Sequence, residues 1–206
     1  TEMDWRLYGN ASAKTVLEIA FYDLAGKAQK KSVAELLGGV RRTGMPVVKM
    51  LATGDLSTDV ADARAGAADG YAAMKIKVGG KPVEADIERT NAIGDALGGV
   101  VQLSSDTNQG WNREEAVSFA RGASSVLDFL EQPVHGHDVE GMAMIAGEAD
   151  CPIAADEGLH SFEDVRRHHA MGAAQGGSVK MIKLGGVTRA NQATALFADL
   201  GMNVNL

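Results

Sequence analysis

The sequence has a single cysteine in 206 residues, Cys151. No disulfide can form within the chain, and a reducing compartment, the cytoplasm, is the expectation. Aromatic residues make up only 5%, too few for the stacking platforms that bind single-stranded nucleic acid. Cations are also short, with 20 Lys and Arg against 27 Asp and Glu for a formal charge of −7. That balance excludes a basic nucleic-acid footprint and a cationic membrane-binding face. No apolar run approaches the ~20 residues of a membrane span, and no signal-peptide pattern opens the chain. The rest is ordinary for a globular protein, 45% hydrophobic and 23% charged, which excludes intrinsic disorder. Thr1 at the start and a strand-like segment over 201–206 at the finish lead to the expectation of a chain cut at both ends.

Glycine is in excess, at 25 of 206 residues, ~12% against a usual ~7%. The glycines punctuate seven short apolar runs at residues 47–51, 72–78, 101–106, 126–131, 153–156, 179–184 and 202–206, whose starts lie 23–29 residues apart. A repeat of that length accommodates one strand, one helix and two loops, the unit of a parallel β/α protein. Helix signals fill the intervals. Asn112-Arg-Glu-Glu115 reads as a capping box, and Ser161-Phe-Glu-Asp164 and Thr188 open two later helices. Pro82 begins a helix over 83–97 that Gly98-Gly99 stops. Ahead of the first run, Val16, Ile19, Ala20 and Leu24 at helical spacing predict a long amphipathic helix over 12–26.

The unbroken rhythm predicts an α/β fold of the (β/α) TIM-barrel type. In an open nucleotide-binding sheet Gly-x-Gly-x-x-Gly would follow the first strand, whereas here Ala52-Thr-Gly-Asp55 does. A whole barrel has eight strands and ~250 residues. The expectation is a leading helix region over 1–40 and an incomplete barrel of seven strands over 41–206, truncated before the last strand or strands.

In such barrels catalytic groups stand at the C-terminal ends of the strands. The second run ends with Lys75 and Lys77, two residues apart and so on one face. Two adjacent buried ammonium groups are costly unless a site uses them. The third, fourth and fifth runs end with Asp106, Glu131 and Asp156, spaced 25 residues each time, so three consecutive strands bring one carboxylate each to the same rim. An oxygen-only set without His or Cys suits a hard cation, Mg²⁺, with Mn²⁺ as a substitute. The sixth run adds Lys180 from the opposite side of the mouth. Singly, a strand-end carboxylate reads as a solvated loop residue or a helix cap, and the lysine pair alone would fit an exposed edge strand. Their joint order is what favours a site.

That order runs Lys75-Ile-Lys77, Asp106-Thr-Asn108-Gln-Gly-Trp111, Glu131-Gln-Pro133, Asp156-Glu157 and Lys180-Met-Ile-Lys183-Leu-Gly-Gly186. Ala20-Phe-Tyr-Asp-Leu-Ala-Gly26 and Leu36-Leu-Gly-Gly39 precede it. Over almost the whole chain this resembles the enolase superfamily, in its mandelate racemase/muconate lactonizing subgroup. The resemblance implies Asp106, Glu131 and Asp156 as Mg²⁺ ligands, and Lys77, supported by Lys75, as the base on one substrate face. Lys180, the first lysine of its segment, is implied as the acid/base on the other face. The implied activity is a Mg²⁺-dependent isomerase that abstracts the proton α to a substrate carboxylate through a metal-stabilised enolate, as a racemase/epimerase or a muconate-type cycloisomerase. A lyase of the o-succinylbenzoate synthase type and a non-catalytic barrel fragment are the alternatives. A free lysine titrates near ~10.4; a neighbouring ammonium and a divalent cation both favour the neutral amine that a base needs. The expected partner is a small carboxylate substrate, with no nucleic acid and no membrane, in a homo-oligomer. The family's α+β capping domain is expected to be absent, and Gly158 stands where many relatives carry Ser.

The remaining polar and large residues have plainer expectations. Glu157, next to Asp156 in a strand, should face away from the site. His168 and His169 should face solvent on a helix, and Met142 and Met144 should fill core gaps. His135 and His137 fall in a rim loop, as surface residues or substrate contacts. Trp111 either lines the pocket or packs on a neighbouring loop.

Overall fold

The computed structural model describes residues 2–205; Thr1 and Leu206, the ends of the first and last segments above, lie outside the described residues. The strands are β1 (Val48–Leu51), β2 (Ala73–Lys77), β3 (Gln102–Asp106), β4 (Phe129–Glu131), β5 (Ile153–Ala155), β6 (Gly176–Ser178) and β7 (Asn203–Asn205). The helices are α1 (Glu2–Arg6), α2 (Ala11–Gln29), α3 (Val33–Leu36), α4 (Leu56–Ala68), α5 (Val83–Leu97), α6 (Arg113–Ala123), α7 (Val139–Ala146), α8 (Phe162–Ala170), α9 (Met181–Leu184) and α10 (Val187–Asp199). All seven strands are parallel and pair in chain order, with β1 and β7 at the two edges. This is the wall of an incomplete (β/α) barrel, as the spacing of the runs predicts.

The two faces of the wall follow from the period of two along each strand. On β2, Met74 and Ile76 point to the helices and are buried, while Ala73, Lys75 and Lys77 point inward. The helix-side layer joins Met74, Ile76, Leu103, Leu130 and Ile153 to Ile93, Phe119, Ile145, Val165 and Phe197 in one apolar cluster. Burying a side chain of this size contributes roughly 1.5–3 kcal/mol, so this layer holds the strands while the inner face stays free for polar groups. The helix boundaries come from local chemistry. Asn112 and Glu115 form the full capping box of α6, each bond 3.0 Å. Ser161 accepts from Asp164 N at 3.1 Å at the start of α8, and Gly98, at φ +58°, stops α5.

Three expectations are corrected here. The sixth strand is Gly176–Ser178, and the run over 179–184 is instead a loop and the single turn α9. The strand carries no apolar side chain because none fits: a Cβ on Gly177 would stand 2.6 Å from Leu159 Cδ1 and 2.8 Å from the Ala155 carbonyl. The long leading helix exists, but its apolar residues Val16, Ile19 and Leu24 are exposed, and Lys14, Thr15, Glu18 and Gly26 are buried. Polar bonds seat it instead, since Thr15 Oγ1 donates to the Met181 carbonyl (2.8 Å) and Glu18 Oε2 accepts from Thr188 N (3.1 Å). Thr188 thus lies inside the first turn of α10, which starts at Val187, and the cap comes from Glu18.

Candidate active site

The register of the sheet places the inward polar groups in rungs. Lys77, Asp106 and Glu131 are Cα partners across β2, β3 and β4. Ala154 of β5 and Gly176 of β6 continue the same rung. Asp156 follows two residues after Ala154 and Ser178 two after Gly176, so they form the next rung toward the mouth. Adjacent strands lie ~4.8 Å apart, so inward side chains meet across one or two strands: Lys75 of β2 and Ser178 of β6 both reach Glu131 of β4.

Each of the three carboxylates is buried and paired with a lysine. Lys77 Nζ donates to Asp106 Oδ2 and to Asn108 Oδ1, each at 2.5 Å. Lys75 Nζ donates to Glu131 Oε2, and Ser178 Oγ donates to Glu131 Oε1 at 2.5 Å. Asp156 takes two ammonium groups, Lys180 on Oδ2 and Lys183 on Oδ1, the latter at 2.5 Å. The two lysines stand in different surroundings: 51% of the Lys180 side chain is exposed against 11% of that of Lys183. Burial alone would lower the Lys180 ammonium, but Asp156 outweighs it and the group lies above the usual lysine range. For Lys183 burial wins over Asp156, and the group lies below that range. Burial would raise Asp156, but hydrogen bonds from Lys180 and Lys183 hold it below the usual carboxylate range.

The candidate residues Lys75, Lys77, Asp106, Glu131, Asp156 and Lys180 therefore meet in one mouth. Among the described residues no three His, Cys, Asp or Glu side chains stand gathered as metal ligands do, because each carboxylate is turned onto its own lysine. The donor set itself fits a hard divalent cation, being three buried oxygen ligands on consecutive strand ends with no sulfur or imidazole among them.

Several expectations around the mouth change. Glu157 does not face away: its Oε1 accepts from Asn108 Nδ2 at 3.0 Å, and Asn108 also holds Lys77. β5 ends at Ala155, so Glu157 is already in a turn where strand alternation no longer applies. His168 does not face solvent. It is buried, its Nδ1 bonded to the Asp164 carbonyl at 2.8 Å and its Nε2 3.0 Å from where a Cβ of Gly158 would stand. Burial depresses its pKa below the usual histidine value despite that carbonyl. His169 is exposed as expected. Trp111 is buried and packs on Phe119 of helix α6, ring centroids 4.5 Å apart, and not on a neighbouring loop. Met142 is buried, whereas Met144 is on the surface because α7 buries Val139, Met142 and Ile145 on its other side. His135 and His137 stack loosely in the rim loop, 5.2 Å between centroids.

Sequence reasoning missed two buried contributors. Ser178 lay outside the expected strand. Gln132, adopting φ +37°, bonds Asp156 N (2.8 Å) and Gly158 N (3.1 Å) through Oε1 and so fixes the turn that carries Asp156.

A parallel β/α wall with lysines and carboxylates on consecutive strand ends defines a class of barrel that works at its C-terminal mouth. Residues 58–206 match the family described as enolase C-terminal domain-like, and residues 1–38 match the mandelate racemase / muconate lactonizing enzyme N-terminal domain. The chain belongs to this subgroup of the enolase superfamily. It is 33% identical over 187 residues to N-succinyl-L-Arg/Lys racemase of Bacillus cereus, covering 90% of this chain and 50% of the relative. It is 34% identical over 211 residues to L-Ala-D/L-Glu epimerase of Clostridium acetobutylicum, covering 100% and 58%. The crystal structure of muconate cycloisomerase from Pseudomonas fluorescens superposes with a TM-score of 0.92 at 31% identity, over 98% of this chain and 56% of that one. The chain spans about half the length of the curated relatives it matches. No described helix is long and apolar enough to cross a membrane.

Proposed function

We propose that this chain carries the acid–base groups of an isomerase that transfers a proton at the carbon α to a carboxylate of a small substrate, taking it and returning it in a racemase/epimerase, or delivering it as the ring closes in a cycloisomerase. One observation carries the reading: Lys75 and Lys77 enter from β2 and Lys180 from beyond β6, with the row of Asp106, Glu131 and Asp156 between them. Exposure separates the lysines by role. Lys77 and Lys180 have 36% and 51% of their side chains exposed and can turn toward the mouth. Lys75, in β2, and Lys183, in α9, at 17% and 11%, are held more deeply. Lys77 would take or give a proton on one face of the substrate α-carbon and Lys180 on the other, each within its own reach.

Asp106, Glu131 and Asp156 would hold Mg²⁺, or Mn²⁺ in its place. When bound, the ion supplies positive charge that offsets the negative charge gathering on the substrate carboxylate. Asn108 and Glu157 complete the polar rim, and Gln132 and Ser178 keep Asp156 and Glu131 in place. The names of the relatives give the substrates to test first: N-succinyl-arginine or -lysine, the Ala-Glu dipeptide and muconate. With Mg²⁺, one of these three classes should be isomerised, and Glu131→Gln should abolish turnover while the fold is kept. Turnover that survives Glu131→Gln or Lys77→Ala would overturn the reading.

A further inference from the structure

Behind β2, on the helix side of the sheet, Asp59 of α4 and Asp86 and Arg89 of α5 form a charged cluster with exposures of 0%, 1% and 3%. Removing three charges from water is costly, and pairing alone often fails to offset it. What the cluster bonds to is therefore informative. Arg89 Nη1 donates to Asp59 Oδ2 (2.5 Å), and Nη2 donates to Asp86 Oδ1 (3.0 Å) and to the main-chain carbonyl of Lys77 (2.5 Å). Asp86 Oδ2 accepts from Gly79 N at 2.8 Å. Asp59 accepts from Thr53 N (3.2 Å), Thr53 Oγ1 (2.8 Å) and Gly54 N (3.2 Å).

Every main-chain group in this set belongs to the rim around Lys77. Thr53 and Gly54 follow β1, Lys77 ends β2, and Gly79 follows β2. A cluster serving only the packing of α4 on α5 would close between those helices. The contacts extend one step further. At Gly79, with φ +87°, a Cβ would stand 2.7 Å from Thr107 Cγ2, so this loop lies directly on the one that carries Asn108, the second partner of the Lys77 amine.

We propose that Arg89, oriented by Asp59 and Asp86, is a positioning residue for the Lys77 amine. Arg89 fixes the strand end from behind through the Lys77 carbonyl, and the two carboxylates it pairs with fix the loops on either side, Asp59 through Gly54 N and Asp86 through Gly79 N. The inference rests on the proposed function for what Lys77 does, and on the contacts above for where Lys77 is held. Four rotatable bonds leave a lysine amine free to wander unless both ends are held: Arg89 holds the Lys77 carbonyl, and Asp106 and Asn108 hold the amine. A misplacement of about 1 Å at a reacting group costs about 10²-fold in rate.

The test is acetylation of the full chain with acetic anhydride, read by peptide mass as the ratio of Lys77 to Lys180 labelling. In the wild type, Asp106 and Asn108 shield Lys77. A hydrogen bond to a charged group is lost in Arg89→Met, and Lys77 labelling should rise about tenfold or more relative to Lys180. A cluster that only stabilises the fold would raise both lysines together or neither, and either result overturns the proposal. If Arg89→Met does not fold, Arg89→Lys is read in the same way, because one ammonium cannot reach Asp59, Asp86 and the Lys77 carbonyl together. Failure of the proposed function is a separate outcome. A selective rise at Lys77 in Arg89→Met, combined with full turnover in Lys77→Ala, would keep the anchoring and remove the role of the lysine.

Discussion

Substituting Gly186 by alanine tests how the leading helix is joined to the barrel. The backbone there has φ +136° and ψ 177°, a region essentially reserved for glycine, and a side chain in such a position costs about 1–3 kcal/mol. The new methyl carbon would stand 2.0 Å from Glu18 Oε2 and 2.7 Å from its Cδ, so the carboxylate must leave. Glu18 is buried, and its Oε2 caps the first turn of α10 by accepting from Thr188 N at 3.1 Å. Losing a cap of this kind costs about 0.5–2 kcal/mol. The sum is about 1.5–5 kcal/mol, and at ~2–4 °C per kcal/mol for a chain of this size, Gly186→Ala should melt about 10 °C lower. Calorimetry on the single and double variants separates the two contributions. In a Glu18→Ala background the clash is gone, and Gly186→Ala should cost only the backbone strain, a coupling of about 0.5–2 kcal/mol. An equal cost in both backgrounds, or a melting temperature unchanged by Gly186→Ala, would refute the reasoning.

Two further outcomes concern buried polar groups near the mouth. The folded state depresses the His168 pKa below its usual 6.5 through burial, so the unfolded chain takes up the proton first as pH falls. Its contribution to stability is complete above the unfolded value and is lost on acidification toward the folded one, at up to about 1.4 kcal/mol per pH unit; urea titrations between pH 7.5 and 5 should show this slope, and His168→Gln should lack it. Gln132→Leu leaves the N–H groups of Asp156 and Gly158 and the Val134 carbonyl without partners; at about 1–3 kcal/mol each the loss should exceed about 3 kcal/mol in urea denaturation, and a loss below about 1 kcal/mol would show that the turn is held otherwise.

The sequence was informative where one strand-end position repeats with the period of the β/α unit. Asp106, Glu131 and Asp156 are visible because parallel strands bring residues 25 positions apart onto one rim. The strand β6 was invisible because Gly176-Gly177-Ser178 has a single side chain, that of Ser178, and so no period to show, while the next six residues form an apolar run that imitates a strand. Lys180 reached its place even so. It lies three residues before Lys183, and one turn of helix turns both onto Asp156. Glu157 was misread because the alternation rule was applied past the end of β5. His168 had a signal that went unused: it follows Val165 by three residues, and those two form the buried side of α8. Arg89 could not be found from the sequence at all, since its partners Asp59 and the Lys77 carbonyl meet it only through the packing of α4 and α5 behind β2.

The central claim is that two lysines serve two faces of one substrate carbon. It is tested most directly by α-proton exchange in D₂O, followed by NMR on both α-carbon configurations (enantiomers of an N-succinyl amino acid, or epimers of the Ala-Glu dipeptide) of the chiral substrate among the classes above. The wild type should exchange both configurations if the chemistry is racemisation or epimerisation. Lys77→Ala should lose exchange of one configuration and Lys180→Ala that of the other, because each amine reaches only its own face. Loss of the same configuration in both variants, or exchange of both configurations in either one, would contradict the account.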